Sequence, residues 1–422
     1  MSRRLSVLAV TSQVPWPLDR GGHLRTFHLL RALAAEYDVR LVAAASSRNA
    51  EAVDALADAG IDLRLARVRP RSAWREGVRM VRAAAVGDPY VMYARHRRRG
   101  VLHTLAREAA AEAPDLWYLD HLDSCLYAPS DAPFVVDCHN VYSEVARRTG
   151  EASRGMLRSP YLKREARLLA AAEQRAAQAA KAIVAVSDRD ARYFAGLGAR
   201  RVYVAPNGVD TSTYAGVRRT GASGDPLILF VGTLAWPPNA AAVAFLARTV
   251  LPEVRRAMPN AVLRVIGADA PRSVQALEAL PGVEIAGRVA DMRAHLRDAH
   301  LLAVPLDAGG GTRLKILEAF AAGLPVVSTP LGAEGLRALD GEHLRIVERE
   351  VFGAAVVDLL QHPDRAAGLA VRARRLAAEL YDWQAIGDVT CRAVEEAARP
   401  ERRARMIAIP GPITRGVQAA QP

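Results

Sequence analysis

Lys315 and Glu318 stand three residues apart in "AGGGTRLKILEAFAAG", just past the glycine run Gly309, Gly310 and Gly311. Lysine is scarce: apart from Lys163, Lys181 and Lys315, the basic residues are all arginine. Bare glycine N–H groups at the start of a helix, together with its dipole, make an anion site. Thr312 is placed to cap that helix, and Gly323 with Pro325 beyond it to end it. A lysine in a first helical turn is unfavourable unless an anion lies nearby, and residues three apart share a face. The chemistry outlined is phosphate binding, with a carboxylate one turn further on. The competing reading is a surface ion pair worth a few tenths of a kcal/mol.

Other loops could add to such a site. Gly21 and Gly22 precede the helical pattern Leu24, Phe27, Leu30, Leu33, where bare backbone can approach an anion or a sugar. A plain tight turn explains them equally well, and they do not form a G-x-G-x-x-G fingerprint. "FVVDCHNVYSE" ends an apolar run with Asp137, His139 and Asn140. A histidine there can polarise a substrate hydroxyl or serve only structure. Gly232 and Thr233, in "FVGTLAWPPN", could offer backbone and hydroxyl donors to a phosphate, and Arg288 ends "IAGR" as a further cation. Ser187 is placed to cap a helix, while "PNGVD" (206–210) reads as a structural turn.

These loops need elements to hold them. The strand candidates are "LSVLAV", "VRLVAAA", "DLRLARV", "LWYLD", "FVVDC", "AIVAVS" and "VYVAP" in the first half. In the second they are "LILFVGT", "AVLRVIG", "VEIAG", "LLAVPL", "PVVSTP" and "LRIVE". Most are continuous apolar runs, as expected of strands covered on both faces, and helical patterns separate them. The expected fold is α/β: two doubly wound, Rossmann-like domains facing a central cleft, with ligands outside the carboxyl ends of the strands. The first domain is expected over 1–208 and the second over 226–380. A helical stretch follows over 381–399, and an irregular tail over 400–422.

Composition narrows the function. The chain has 422 residues, 51% hydrophobic and 24% charged, so general disorder is excluded. The net charge of +12 suits phosphorylated small molecules, an anionic membrane or nucleic acid. No zinc-finger spacing or RNA-recognition signature supports the last. The densest basic run, Arg95, Arg97, Arg98 and Arg99, reads as a solvated helix face or as a patch for an acidic partner. Three cysteines make neither a disulfide framework nor a zinc site. The amino terminus reads as a buried strand instead of a signal peptide, and a cytoplasmic protein, soluble or peripheral at the inner membrane face, is expected.

Taken together, "GGGTRLKILEAFAAGLPVVSTPLGAEGL", "PNGVD", "DCHNVYSE" and "PWPLDRGGHLR" resemble family 4 (group 1) glycosyltransferases, in the expected order and over roughly residues 5 to 390. The nearest branch is that of bacterial transferases of exopolysaccharide and related glycans. The resemblance implies a GT-B fold and a nucleotide-diphosphate sugar as co-substrate, held mainly by the second domain. It also implies retention at the anomeric carbon, no metal or other cofactor, and a last helix crossing back to the first domain. Glu318 matches a glutamate that bonds the ribose hydroxyls. Gly310 stands where the family's other glutamate would be. Gly21 and Gly22 match the loop near the diphosphate and acceptor, and His139 a histidine facing the donor sugar. The lysine that often follows the first strand of the second domain is missing from "GTLAWPPN", which leaves phosphate charge to Arg313 and Lys315.

The expected reaction is transfer of a sugar from a nucleotide donor to a hydroxyl of a glycan, a lipid-linked acceptor or a small molecule, in glycan or glycoconjugate biosynthesis. Lys315, Arg313 and the glycine-loop N–H groups would stabilise the leaving diphosphate, and His139 would serve at the sugar. No nucleic acid partner is expected; peripheral contact with an anionic membrane is. Two other readings are a nucleotide-sugar epimerase or hydrolase on the same fold, and a non-catalytic nucleotide-sugar-binding protein.

Overall fold

The computed structural model describes residues 3–18, 20–45, 50–68, 72–152, 158–217, 224–308 and 314–399. Two parallel sheets organise it. The first joins β1 (Ser6–Thr11), β2 (Asp38–Ala45), β3 (Asp62–Arg67), β4 (Leu116–Asp120), β5 (Phe134–Cys138), β6 (Ala182–Ala185) and β7 (Val202–Val204), in the order 3-2-1-4-5-6-7. The second joins β8 (Leu227–Val231), β9 (Val262–Ile266), β10 (Val283–Gly287), β11 (Leu301–Val304), β12 (Val326–Ser328) and β13 (Arg345–Ile346), in the order 10-9-8-11-12-13. Each expected strand is present, and helices connect them. This is the two-domain Rossmann-like α/β fold.

Burial follows strand position. Every residue of β1, β4, β5, β6 and β11 is buried, so these inner strands are apolar without alternation. The edge strands β3 and β10 alternate, because only one of their faces meets the core. Across β4 and β5 Trp117 pairs Phe134 and Asp120 pairs Asp137. All strands of a sheet being parallel, the loops after them gather at one edge of that sheet.

The chain divides into two compact units. The first holds the chain up to Val14, Leu33–Ala205 and the chain from Val389; the second holds Pro15–Ala32 and Pro206–Asp388. The second thus includes the start of helix Gly21–Glu36, where Gly21 has Leu314 Cδ1 within 3.2 Å of where a Cβ would stand. Fully buried Arg25 donates to the Pro206 carbonyl at 3.2 Å, and His28 stacks on Trp383 at 4.8 Å. "PNGVD" is structural: Gly208 lies where a Cβ would collide with Ile386, the Tyr381 carbonyl and Trp383, and Asp210 caps helix Thr211–Ala215. Ser187 caps helix Asp188–Gly196, accepting from Asp190 N. The helical stretch after residue 362 is two helices, Pro363–Leu380 and Trp383–Ala398.

Candidate active site residues

In the second unit the Lys315 region is built from three loops. Helix Leu314–Ala321 buries Ile316, Leu317, Ala319, Phe320 and Ala321, which fixes its roll and leaves Lys315 and Glu318 on a more open side. Lys315 Nζ donates to Asn239 Oδ1 at 3.1 Å and lies 4.5 Å from the centroid of the Phe230 ring, a cation–π geometry. Buried Asn239 donates in turn to the Thr233 carbonyl at 2.9 Å, so one amide ties the loop after β8 to the lysine.

Gly232 makes this packing possible. A Cβ there would stand 2.6 Å from Asn239 Nδ2 and 2.8 Å from Lys315 Nζ. Its N–H, expected as a phosphate donor, is already bonded to the Ile266 carbonyl at 3.0 Å. The expectation is corrected: Gly232 contributes space, not a donor, because continuing the β8–β9 ladder uses its only N–H. At Gly267 a Cβ would come within 1.8 Å of the Gly232 carbonyl, so two loops touch backbone to backbone. Thr233 is exposed, with its carbonyl engaged by Asn239.

Glu318 is half-buried. Burial pushes its carboxyl up to about 7, against the pull of Lys315 and of a hydrogen bond from Tyr214. Burial and the neighbouring Glu318 raise the Tyr214 hydroxyl in return. Tyr214 comes from helix Thr211–Ala215, the element Asp210 caps. Arg288 follows β10 directly and is exposed, with no hydrogen bond or ion pair to a described residue. Gly22 starts the same helix as Gly21. Gly309, Gly310, Gly311, Thr312 and Arg313 lie outside the described residues.

His139 belongs to a separate cluster in the first unit. It follows β5, is 6% exposed, and its Nε2 lies 3.0 Å from both Asp120 Oδ1 and Asp137 Oδ2. The Asp120–Asp137 pairing across β4 and β5 sets this clamp. Thr11 donates to Asp120 Oδ2 at 2.8 Å. Burial pulls the imidazole down, but Asp137 and Asp120 prevail and raise it to about 9, so it is a cation at neutral pH. Burial opposes ionisation of Asp120, yet His121 and His139 hold its carboxyl below the usual range.

His121, which sequence reasoning missed, lies against His139 with ring centroids 3.5 Å apart, and its Nδ1 meets the Tyr142 hydroxyl at 2.9 Å. Burial, then His139, lowers its pKa. Its backbone, at φ 68° and ψ 160°, occupies a region that is essentially glycine's, costing about 1–3 kcal/mol. Such strain at a strand end points to function. With a side chain 22% exposed against 5% for His139, His121 is the ring of the pair that a ligand can reach.

Asp120, His121 and His139 offer ligand atoms within 4.8 Å of one another, close enough to hold a metal ion. The donor set fits one poorly. His139 Nε2 is engaged by two carboxylates, which leaves only Nδ1 to coordinate, and the same carboxylates oppose the loss of the proton that coordination requires.

Residues 20–213 match the family model described as Glycosyltransferase Family 4, and residues 225–362 the one described as Glycosyl transferases group 1. The phosphatidyl-myo-inositol mannosyltransferase of Mycobacterium tuberculosis is 30% identical over 240 residues, 51% of this chain and 59% of that one. A glycogen synthase of the same organism is 28% identical over 225 residues, 49% of this chain and 51% of that one. The chain thus spans a little over half the length of these relatives. Among solved structures, HepE of Anabaena in complex with UDP and glucose matches with a TM-score of 0.63 at 15% identity, over 93% of this chain and 99% of that one. At that identity the likeness concerns the fold.

Proposed function

We infer that this chain, which belongs to the glycosyltransferases of family 4 and group 1, moves a sugar from a nucleotide-diphosphate donor to a hydroxyl acceptor, with retention and without a metal. The observation that carries the reading is Lys315, held by Asn239 and Phe230 at the start of its helix, one turn before Glu318. A cation so fixed meets the charge that a leaving diphosphate gains, and preorganised groups of this kind supply a large share of catalysis. The bond from the anomeric carbon to the diphosphate oxygen breaks, and the acceptor oxygen bonds to that carbon from the same face. The acceptor proton passes to a donor phosphate oxygen.

Glu318 accepts from the ribose hydroxyls in its ionised form, which those donated hydrogen bonds favour. Arg288, Arg313, Thr312 and the N–H groups of Gly309, Gly310 and Gly311 complete the diphosphate site in this reading, with Gly21 and Gly22 close to it. At the sugar, His139 supplies a fixed positive charge and orients His121, which makes the contact. The described relatives support a glycan or glycolipid acceptor: one is a phosphatidyl-myo-inositol mannosyltransferase and one a glycogen synthase. HepE was solved with UDP, so uridine nucleotide sugars come first among donors to try. Biosynthesis of an exopolysaccharide or related glycan is the setting we propose, in a cytoplasm that keeps Cys125, Cys138 and Cys391 as thiols.

The test begins with thermal shifts against a panel of nucleotide sugars, since a preferred donor stabilises the folded state by mass action. Transfer and donor hydrolysis are then measured in Lys315→Ala and Glu318→Ala. Near-normal turnover in both variants would overturn the site, and donor turnover to an epimer or free sugar whatever acceptor is supplied would overturn transfer.

A further inference from the structure

Helix Ala73–Val86 turns an apolar face to solvent. Ten large apolar side chains are exposed among the described residues, and five of them, Trp74, Val78, Met80, Val81 and Val86, are on this helix. Trp74, Val78 and Val81 are 68%, 57% and 66% exposed, and with Ala85 they recur at spacings of four, three and four. At 100° per residue that places them within an arc of about 60°. Its buried residue is Ala83, on the opposite side, so this is not a core face that has come loose.

Arginines border the arc. Arg75, Arg79 and Arg82 follow one edge of the helix and line a cavity of about 1040 Å³ in the first unit. Arg67, at the end of β3, and Arg97, Arg98 and Arg99, at the start of helix Arg99–Ala111, line it too. The reading of the arginine run as a solvated helix face is thereby corrected for Arg97, Arg98 and Arg99, which lie before and at a helix start and line a cavity; Arg95 is exposed and does not line it. Arg79 is structural, its Nη2 donating to the carbonyls of Ala94 and Arg97. Asp88 is the one carboxylate among the described lining residues. Like charges gathered round one cavity, three of them at a helix N-terminus where cations are already disfavoured, favour an anion there.

We propose that this surface docks on an anionic phospholipid membrane. Trp74, Val78 and Val81 enter the interface, and lipid phosphates enter the cavity between the helix and the arginines. A charged groove alone suits any phosphate, and an apolar face alone suits any protein; a basic cavity bordered by an exposed tryptophan–valine arc matches a surface with phosphates above hydrocarbon. No described helix is long and apolar enough to cross a membrane, so the contact lies in the interface plane. None of the residues that form this surface is among those assigned to transfer.

The experiment is co-sedimentation of the full chain with vesicles of phosphatidylglycerol and phosphatidylcholine, against phosphatidylcholine alone. Two variants accompany it: a serine triple, Trp74→Ser, Val78→Ser, Val81→Ser, and a charge pair, Arg82→Gln, Arg99→Gln. All five side chains are exposed, so folding is preserved, which melting curves verify. The wild type binds the anionic vesicles and added salt weakens it. The charge pair lowers partitioning about thirty-fold, the serine triple at least tenfold, and donor hydrolysis in solution is unchanged in both. Brominated acyl chains quench tryptophan emission in the wild type but less in Trp74→Phe. Equal vesicle binding by all three proteins overturns the proposal. So does pyrophosphate stabilising the wild type but not the charge pair while the serine triple binds vesicles normally, which assigns the cavity to a soluble anion. A wild-type dimer that the serine triple converts to a monomer assigns the face to a second copy of the chain.

Discussion

His139 shares its Nε2 between Asp120 and Asp137 at 3.0 Å, while Lys315 rests on an amide oxygen and an aromatic face beside a carboxyl that titrates near neutrality. The first cluster carries its own counter-charges. Its histidine is pushed up to about 9 and Asp120 is held low, so its protonation does not change over ordinary pH. The second sits at the midpoint of a titration: Glu318, at about 7, changes state when a neighbouring charge arrives. Burial acts on both, and the difference lies in the partners. Two carboxylates overcome desolvation at His139, and one lysine does not at Glu318. One cluster is suited to holding a geometry and the other to responding to a ligand.

Five experiments can break or sharpen that contrast. The largest effect should come from Asp137→Asn, which removes one counter-charge of a buried histidine; breaking such a pair costs about 3–5 kcal/mol. Denaturant unfolding measures it, and a variant as stable as the wild type would mean that the cluster is not ionised. Lys315→Ala should lower turnover by about 100- to 1000-fold while the melting temperature hardly moves, the reverse of the Asp137 result. Gly232→Ala places a methyl against Asn239 and Lys315 and should cost about tenfold in kcat/KM through displacement of the lysine. An unaffected kcat/KM would show that Lys315 position is not critical.

The smallest effects concern pH. Donor affinity should rise by up to about tenfold from pH 6 to 8 as Glu318 ionises, and Glu318→Gln should flatten the profile in calorimetric titrations. Stability runs the other way. Because Glu318 has a raised pKa, its contribution is full below its ordinary carboxyl range and is lost as pH rises through about 7. The His139 contribution is full below 6.5 and is lost as pH rises through about 9, so melting temperature should fall between pH 7 and 10. Asp120→Asn should make that last decline smaller and move it to lower pH, since Asp137 still faces the ring.

Much of this is readable in the amino-acid sequence. The runs "LSVLAV" and "LLAVPL" are apolar throughout because β1 and β11 are covered on both faces, and the Ser187 cap follows from residue type alone. Other residues gave no usable signal. Asn239 sits 76 positions before Lys315, inside "WPPNAAA", where an asparagine reads as a helix start. Tyr214 reads as part of a linker. His121 could have been found, since "WYLDH" is a strand ending in Asp and His just as "VVDCH" is, and parallel neighbours bring such ends together.

The amino-acid sequence by itself determined the alternation of strands and helices, the fold class, and the placing of Lys315 and Glu318 one turn apart. These depend on periodicities of two and 3.6 residues that a short window contains. Tertiary structure alone decided which partners each charge meets: Asn239 and Phe230 for Lys315, Tyr214 for Glu318, and two carboxylates for His139. Protonation depends on desolvation and on neighbours distant in the chain, and only strand register and helix packing settle those.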